Sequence, residues 1–339
     1  MSADKLLTVA VPCYNSEGYM RGCIDSLLIG GEEIEIIIID AGSTDATGEI
    51  ADAYAAEHPE TVKVIHQENG GHGEGINQGV RHARGRYFKV VDSDDALSED
   101  LPALLDALKT CERKGGVDLA VTNYYYEHTD ARGDRSIDYS SALPRGRIFE
   151  WRDTRRFRIH QLLTIHSCTF RTDLLREWDE PLPRRVFYED NLMICKTMPR
   201  VKRIYYLPLD LYRYRIGRPD QSVQEAALIK RYQHQILVSE QCFIACELDS
   251  IKEPRLKRYL KHELFILFGM AIMFTRLNRS DKADAELVKM WKRCIRHNEK
   301  WGKHFRYRSP LALICLGGSF GRAIAIFFYR MANKIVRFN

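Results

Sequence analysis

Cys-x-x-Cys pairs are absent, and the chain's nine cysteines are odd in number. That disfavours a disulfide framework and a zinc site and fits a reduced, cytosolic protein. Clean apolar runs are also scarce. The most apolar stretch, residues 311–328, is interrupted by Arg322 and by Gly317, Gly318 and Gly321. A membrane span needs about 20 uninterrupted apolar residues, so surface association is expected ahead of spanning. Internal repeats and low-complexity linkers are missing. Met1-Ser2-Ala3-Asp4-Lys5 runs straight into a strand-like segment, so no signal peptide is expected. Acidic residues stop at Glu299: residues 300–339 carry eight Lys or Arg and no Asp or Glu, while the whole chain is +5. The rest is therefore slightly acidic, and basicity belongs to the C-terminus.

What is present is a foldable globular chain. It has 339 residues, 45% hydrophobic and 29% charged, which suits two domains and excludes a disordered tail, a collagen-like repeat and a polytopic membrane protein. Residues 6–11 are apolar and end at Pro12. Met20, Ile24, Leu27 and Leu28 recur at helical spacing. Residues 34–39, nearly all Ile, read as a buried strand, 47–57 as a helix, and 62–65 as a third strand. A Gly-rich loop then precedes a helix through Val80 and Ala83, followed by strand 87–91, helix 101–111 and strand 118–122. This alternation predicts an α/β fold, a mostly parallel sheet with helices on both faces. Residues 123–223 are mixed and rich in Tyr and Arg. Long helices are predicted over 223–248, 254–277 and 281–297. The expected division is an α/β domain at 1–222 and a helical region at 223–339.

Ligands in such sheets bind beyond the carboxyl ends of the strands. Three of those ends carry polar loops: Pro12-Cys13-Tyr14-Asn15, residues 40–45, and Asp92-Ser93-Asp94-Asp95. Three carboxylates in four residues suit either a hard divalent cation or the acidic start of a helix. Asp40 could accept hydrogen bonds from a base or ribose, or simply belong to a turn and helix cap. The Gly-rich stretch 69–79 offers amides for phosphate at a helix start. It lacks the Gly-Lys-[Ser/Thr] of a P-loop and follows the wrong strand for a dinucleotide fingerprint. Glu189-Asp190 could include a base raised by burial, or form an acidic first turn. The Arg/Tyr segment 212–222 could clamp a diphosphate, stack nucleic acid, or be a strand with a solvated arginine face.

In this order, residues 9–15, 36–45, 83–88, 92–95 and 189–190 resemble family 2 of the inverting glycosyltransferases, bacterial in type, with the Rossmann-like GT-A fold. The match covers about the first 225 residues. The resemblance implies a metal-dependent hexosyltransferase acting in cell-surface polysaccharide synthesis. The donor would be a nucleotide sugar, a UDP-sugar first, and the acceptor a glycan or glycolipid. It implies that Pro12, Tyr14, Asn15 and Asp40 line the nucleotide pocket. Asp92 and Asp94 would form an Asp-x-Asp holding ribose and a divalent cation, Mn²⁺ or Mg²⁺, with Asp95 alongside as a metal residue. Asp190, paired with Glu189, would be the general base. His166 would lie beside the donor, and Arg215, Arg218 and Ser222 on the diphosphate side. Ala41 stands where many relatives have a second Asp, which leaves the choice of base open. The Gln-x-x-Arg-Trp of processive relatives is missing, so transfer of one sugar is expected.

Two other readings stand beside it: a nucleotide-sugar-binding regulatory or scaffold protein without turnover, and a basic nucleic-acid binder. The acidic remainder of the chain argues against nucleic acid. The expected place is the cytoplasm, at the inner face of the cell membrane. Residues 311–328, flanked by Arg306, Arg308, Arg330, Lys334 and Arg337, read as a peripheral contact with an anionic membrane surface or as a helix packed internally or in a homodimer.

Overall fold

The structure, a computed structural model, describes residues 5–128, 135–216, 225–316, 321–327 and 330. The chain divides into two compact units, Met1–Ile216 and Gly217–Asn339.

The first unit runs β1 (Leu7–Cys13), α1 (Met20–Leu28), β2 (Ile34–Asp40), α2 (Thr47–Glu57), β3 (Val62–His66), α3 (His72–His82), β4 (Tyr87–Val90), β5 (Ala96–Leu97) and α4 (Leu101–Glu112). It continues through β6 (Leu119–His128), β7 (Arg135–Ile137), β8 (Ile148–Phe149), β9 (Cys168–Arg171), α5 (Thr172–Arg176), α6 (Glu189–Thr197) and β10 (Ile204–Ile216). The strands form one sheet in the order β3-β2-β1-β4-β9-β6-β10-β5, with β7 on β6 and β8 on β10. The pairs β3–β2, β2–β1, β1–β4 and β6–β10 are parallel. Strand β9 lies antiparallel between β4 and β6. The α/β architecture is thus the expected one, mostly parallel.

Every residue of β2 is buried, which requires covering elements on both faces of the sheet and explains its run of isoleucines. Its one charged side chain before Asp40, Glu35, is fully buried and accepts hydrogen bonds from the Thr8 hydroxyl and from the Arg84 amide and guanidinium. Two local expectations differ from the structure. Pro12 does not close β1 but lies inside it, opposite Ile39. The Ala10 carbonyl accepts from the Val91 amide on the β4 side, so Pro12, two residues on, turns its nitrogen to that same side. The paired residues of β1 and β4 end at Ala10 and Val90, so no ladder donor is lost. The Gly-rich stretch is not a loop either. It forms most of α3, because a Cβ on Gly75 or Gly79 would fall 2.9 Å from Pro12 Cβ or 2.6 Å from Ala10 Cβ. The glycines let the helix lie directly on β1.

The second unit runs α7 (Glu225–Lys230), α8 (Tyr232–Ala245), α9 (Pro254–Asn278), α10 (Asp281–His297), α11 (Glu299–Lys303), a π-helical turn (His304–Arg308) and α12 (Leu311–Ile314), with residues 321–327 again helical. The helix expected over 223–248 is broken at Arg231. Glu253 and Ser280 cap α9 and α10 by accepting from the amides of Arg255 and Ala283. The core is aromatic: Phe268 lies 4.6 Å from Trp291, 5.3 Å from Phe305 and 5.8 Å from Phe243, ring centre to ring centre. Among the described residues no helix is long and apolar enough to cross a membrane.

Candidate active site

The polar loops at the ends of β1, β2 and β4 converge through side-chain hydrogen bonds. The Asn15 amide donates to Ser43 Oγ at 2.9 Å, and the Thr44 amide donates to Asn15 Oδ1 at 2.9 Å. Asn15 sits at φ +50°, the left-handed region that Asn tolerates. Ser16 Oγ meets Ser93 Oγ at 2.8 Å, tying the first loop to the third. Asp40 is buried; its Oδ1 accepts from the Ser43 amide at 3.0 Å, and its Oδ2 lies 3.0 Å from His66 Nδ1. Burial raises the Asp40 carboxyl, but Ser43 and His66 outweigh it and the net shift is downward. Asp45 accepts at 3.0 Å from the amide of Thr47, the first residue of α2. Tyr14 is exposed at the rim, and Pro12 lies against α3.

The third loop holds the carboxylate cluster. Asp95 is fully buried: the Tyr212 hydroxyl donates to its Oδ2 at 2.7 Å and the Arg215 amide to its Oδ1 at 2.9 Å. Burial, with Asp92 and Asp94 nearby, pushes the Asp95 carboxyl well above the usual range. Asp92 has the opposite fate. Burial raises it, but His72 and His166 overcome this and hold it well below the usual range. His72 Nε2 lies 2.9 Å from Asp92 Oδ1, and His166 Nε2 lies 3.7 Å from Asp92 Oδ2. Asp92, Asp95 and His166 each offer one ligand atom, all within 4.8 Å of one another. Asp94 is half-buried and lies outside that group, unlike the expectation from the Asp-x-Asp spacing.

The acidic pair opens α6. Tyr188 before it adopts φ +70°, and Glu189 is buried with its Oε1 2.7 Å from His72 Nδ1. His72 therefore bridges Glu189 to Asp92. Burial alone would lower its imidazole; Asp92 and Glu189 raise it well above the ordinary histidine range. Burial, then Glu189, lifts the Asp190 carboxyl to about 6, while His166 and His72 oppose the shift. A carboxylate that titrates there can take a proton near neutral pH.

His166 is fixed by its neighbours. Its ring stacks on Tyr214 at 4.7 Å and meets Tyr212 edge-on at 4.6 Å. Its carbonyl accepts from Lys89 Nζ at 2.7 Å. Lys89 is fully buried, and burial lowers its ammonium to about 8. Arg215 and Arg213 both pair with Glu127, so the Arg215 guanidinium faces a carboxylate of its own strand pair. Arg218 and Ser222 lie outside the described residues.

The structure thus brings Asp92, Asp95, His166, Glu189 and the Arg215 backbone into one network, with Asp190 next to Glu189 at the start of α6 and Asp40 and Asn15 in an adjoining network. Sequence reasoning missed three of its members: His72, Lys89 and Tyr212. The first was hidden in a glycine-rich stretch and the second in an apolar strand. Tyr212 belonged to a segment whose faces the sequence alone could not assign.

Residues 8–177 match the family described as Glycosyl transferase family 2. The glycosyltransferase GlyG of Streptococcus pneumoniae serotype 4 is 38% identical over 130 residues, 38% of this chain and 42% of GlyG, so the chain spans less than half that relative's length. The minor teichoic acid biosynthesis protein GgaA of Bacillus subtilis is 26% identical over 263 residues, 73% of this chain and 55% of GgaA. Residues 1–349 of Staphylococcus aureus TarS, solved in complex with UDP-GlcNAc, superpose with a TM-score of 0.67 over 98% of this chain and 91% of that one, at 20% identity.

Proposed function

The chain belongs to glycosyl transferase family 2, and from that premise we propose that it moves one sugar, with inversion, from a UDP-sugar to a hydroxyl of a glycan or lipid-linked glycan in cell-surface polysaccharide synthesis. The observation that carries this reading is the His72 bridge, which ties the acidic pair at the start of α6 to the carboxylate cluster after β4. A base and an electrophile-facing cluster in one network are what a single displacement needs. The UDP-GlcNAc complex of TarS and the name of GgaA suggest the donor and the product class.

In this proposal Asp40 and Asn15 hold the nucleotide, Pro12 and Tyr14 flank it, and Arg215 lies on its diphosphate side. Asp190 accepts the proton of the attacking hydroxyl, and its raised value keeps it a competent base near neutral pH. Its Oδ1 accepts from Asn191 Nδ2 at 3.0 Å, and Glu189 beside it in the chain is held by His72. Two carboxylate oxygens and one imidazole nitrogen form a donor set that fits Mn²⁺ or Mg²⁺, so Asp92, Asp95 and His166 would hold the cation. When bound, that ion offsets the negative charge on the departing diphosphate. The cysteine count is odd, with no Cys-x-x-Cys, and all nine are buried, which fits a reducing, cytoplasmic setting.

The test is a panel of nucleotide sugars incubated with the purified chain, with and without Mn²⁺, and assayed for nucleoside diphosphate release. Release from one UDP-sugar that depends on the ion is expected. Tight donor binding without any release, even with glycan acceptors added, would favour a non-catalytic binding protein.

A further inference from the structure

We propose that residues 306–316 of the helical unit form a docking patch for an anionic phospholipid surface. The segment has two faces. Leu311, Ile314 and Cys315 point inward and are buried, and a Cβ on Gly269 of α9 would lie 3.7 Å from Leu311 Cδ2. The Arg276 guanidinium donates to the carbonyls of Cys315 and, at 2.9 Å, Leu316, anchoring the segment to α9. The other face is apolar and open: Tyr307 is 60% exposed, Leu313 55% and Leu316 44%. Phe327, further along the same stretch, is 64% exposed.

Charge selects the occupant. Arg308 and Arg330 are exposed, and no acidic residue occurs from 300 to 339. The one cation that interrupts the apolar stretch, Arg322, is turned to protein: it donates to Asp284 Oδ2 at 3.0 Å and lies 3.5 Å from Asp281. It therefore does not have to enter an apolar phase. Exposed leucines and an aromatic on the same segment as the exposed Arg308, already anchored from behind, suit shallow insertion at a negatively charged headgroup layer. A second copy of this chain would bring like charges together at the same patch.

The experiment uses the full chain without donor or metal, so it is independent of sugar transfer. Flotation is compared on phosphatidylcholine vesicles with and without phosphatidylglycerol. Binding only to the anionic vesicles, weakening as salt rises, is expected. Leu313→Glu/Leu316→Glu and Arg308→Gln/Arg330→Gln should each weaken binding by about tenfold or more. All four positions are exposed, so thermal melting and UDP binding should match the parent. Failure of the parent chain to float with anionic vesicles would overturn the proposal. So would undiminished binding by folded Leu313→Glu/Leu316→Glu. Light scattering that shows a dimer split by those substitutions, with vesicle binding intact, would assign the patch to self-association instead.

Discussion

The Nδ1 of His72 lies 2.7 Å from Oε1 of Glu189, a contact between residues 117 positions apart. The contact is packed as well as bonded. A Cβ on Gly73 would lie 2.7 Å from Glu189 Cγ and 3.1 Å from the Pro183 carbonyl, and one on Gly71 2.9 Å from the Arg185 backbone. The start of α3 is thus a seat for the chain entering α6. Protein atoms occupy the space around those glycines.

His72→Gln should lower turnover while leaving nucleotide binding largely intact, because the amide can replace only one of the two hydrogen bonds. The His72 side chain is 35% exposed, so the loss of stability should be about 1–2 kcal/mol, below the 3–5 kcal/mol of a fully buried pair. The imidazole is raised in the folded state. Its stabilisation is therefore complete below its ordinary value of about 6.5 and disappears as pH rises through the raised value. Chemical denaturation followed upward from about pH 6 should show this slope in the parent and lose it in the variant.

Gly73→Ala tests the seat. Helix propensity favours Ala by up to about 1 kcal/mol, but forcing a methyl against Glu189 costs about 1–3 kcal/mol. Turnover should fall as the acidic pair shifts, with UDP affinity little changed. Full activity in Gly73→Ala would show that the position of Glu189 does not matter.

The cation set makes a different prediction. If Asp92, Asp95 and His166 hold the ion, His166→Ala should weaken Mn²⁺-dependent UDP binding more than Asp94→Ala in calorimetric titration. The reverse order would return the ion to the Asp-x-Asp carboxylates. Asp95→Ala should also cost stability, because it strands the buried Tyr212 hydroxyl and the Arg215 amide.

The α/β plan was legible because strands buried on both faces must be apolar throughout, as residues 34–39 are. Asp92, Glu189 and Asp190 stood out as carboxylate clusters after β4 and at the start of α6, though only the resemblance to family 2 set them apart from ordinary acidic helix starts. What escaped depended on distant chain. Nothing local distinguishes Lys89 from a solvated lysine, since its partners are carbonyls of residues 166 and 168. Strand β9, four residues long, gains its place only by pairing with β4 and β6. His72 looked like part of a flexible glycine loop because the atoms that fill the space around those glycines come from 183–189.

The central claim is that Asp190 is the base of a single active site, and its most direct test is the pH dependence of nucleoside diphosphate release from the active donor. The parent rate should rise with pH through a limb near 6, as the Asp190 carboxyl loses its proton. Asp190→Asn should bind the donor normally, abolish that limb, and lower turnover by about 10²–10⁴. Turnover in Asp190→Asn within about tenfold of the parent, with the limb unchanged, would contradict the account.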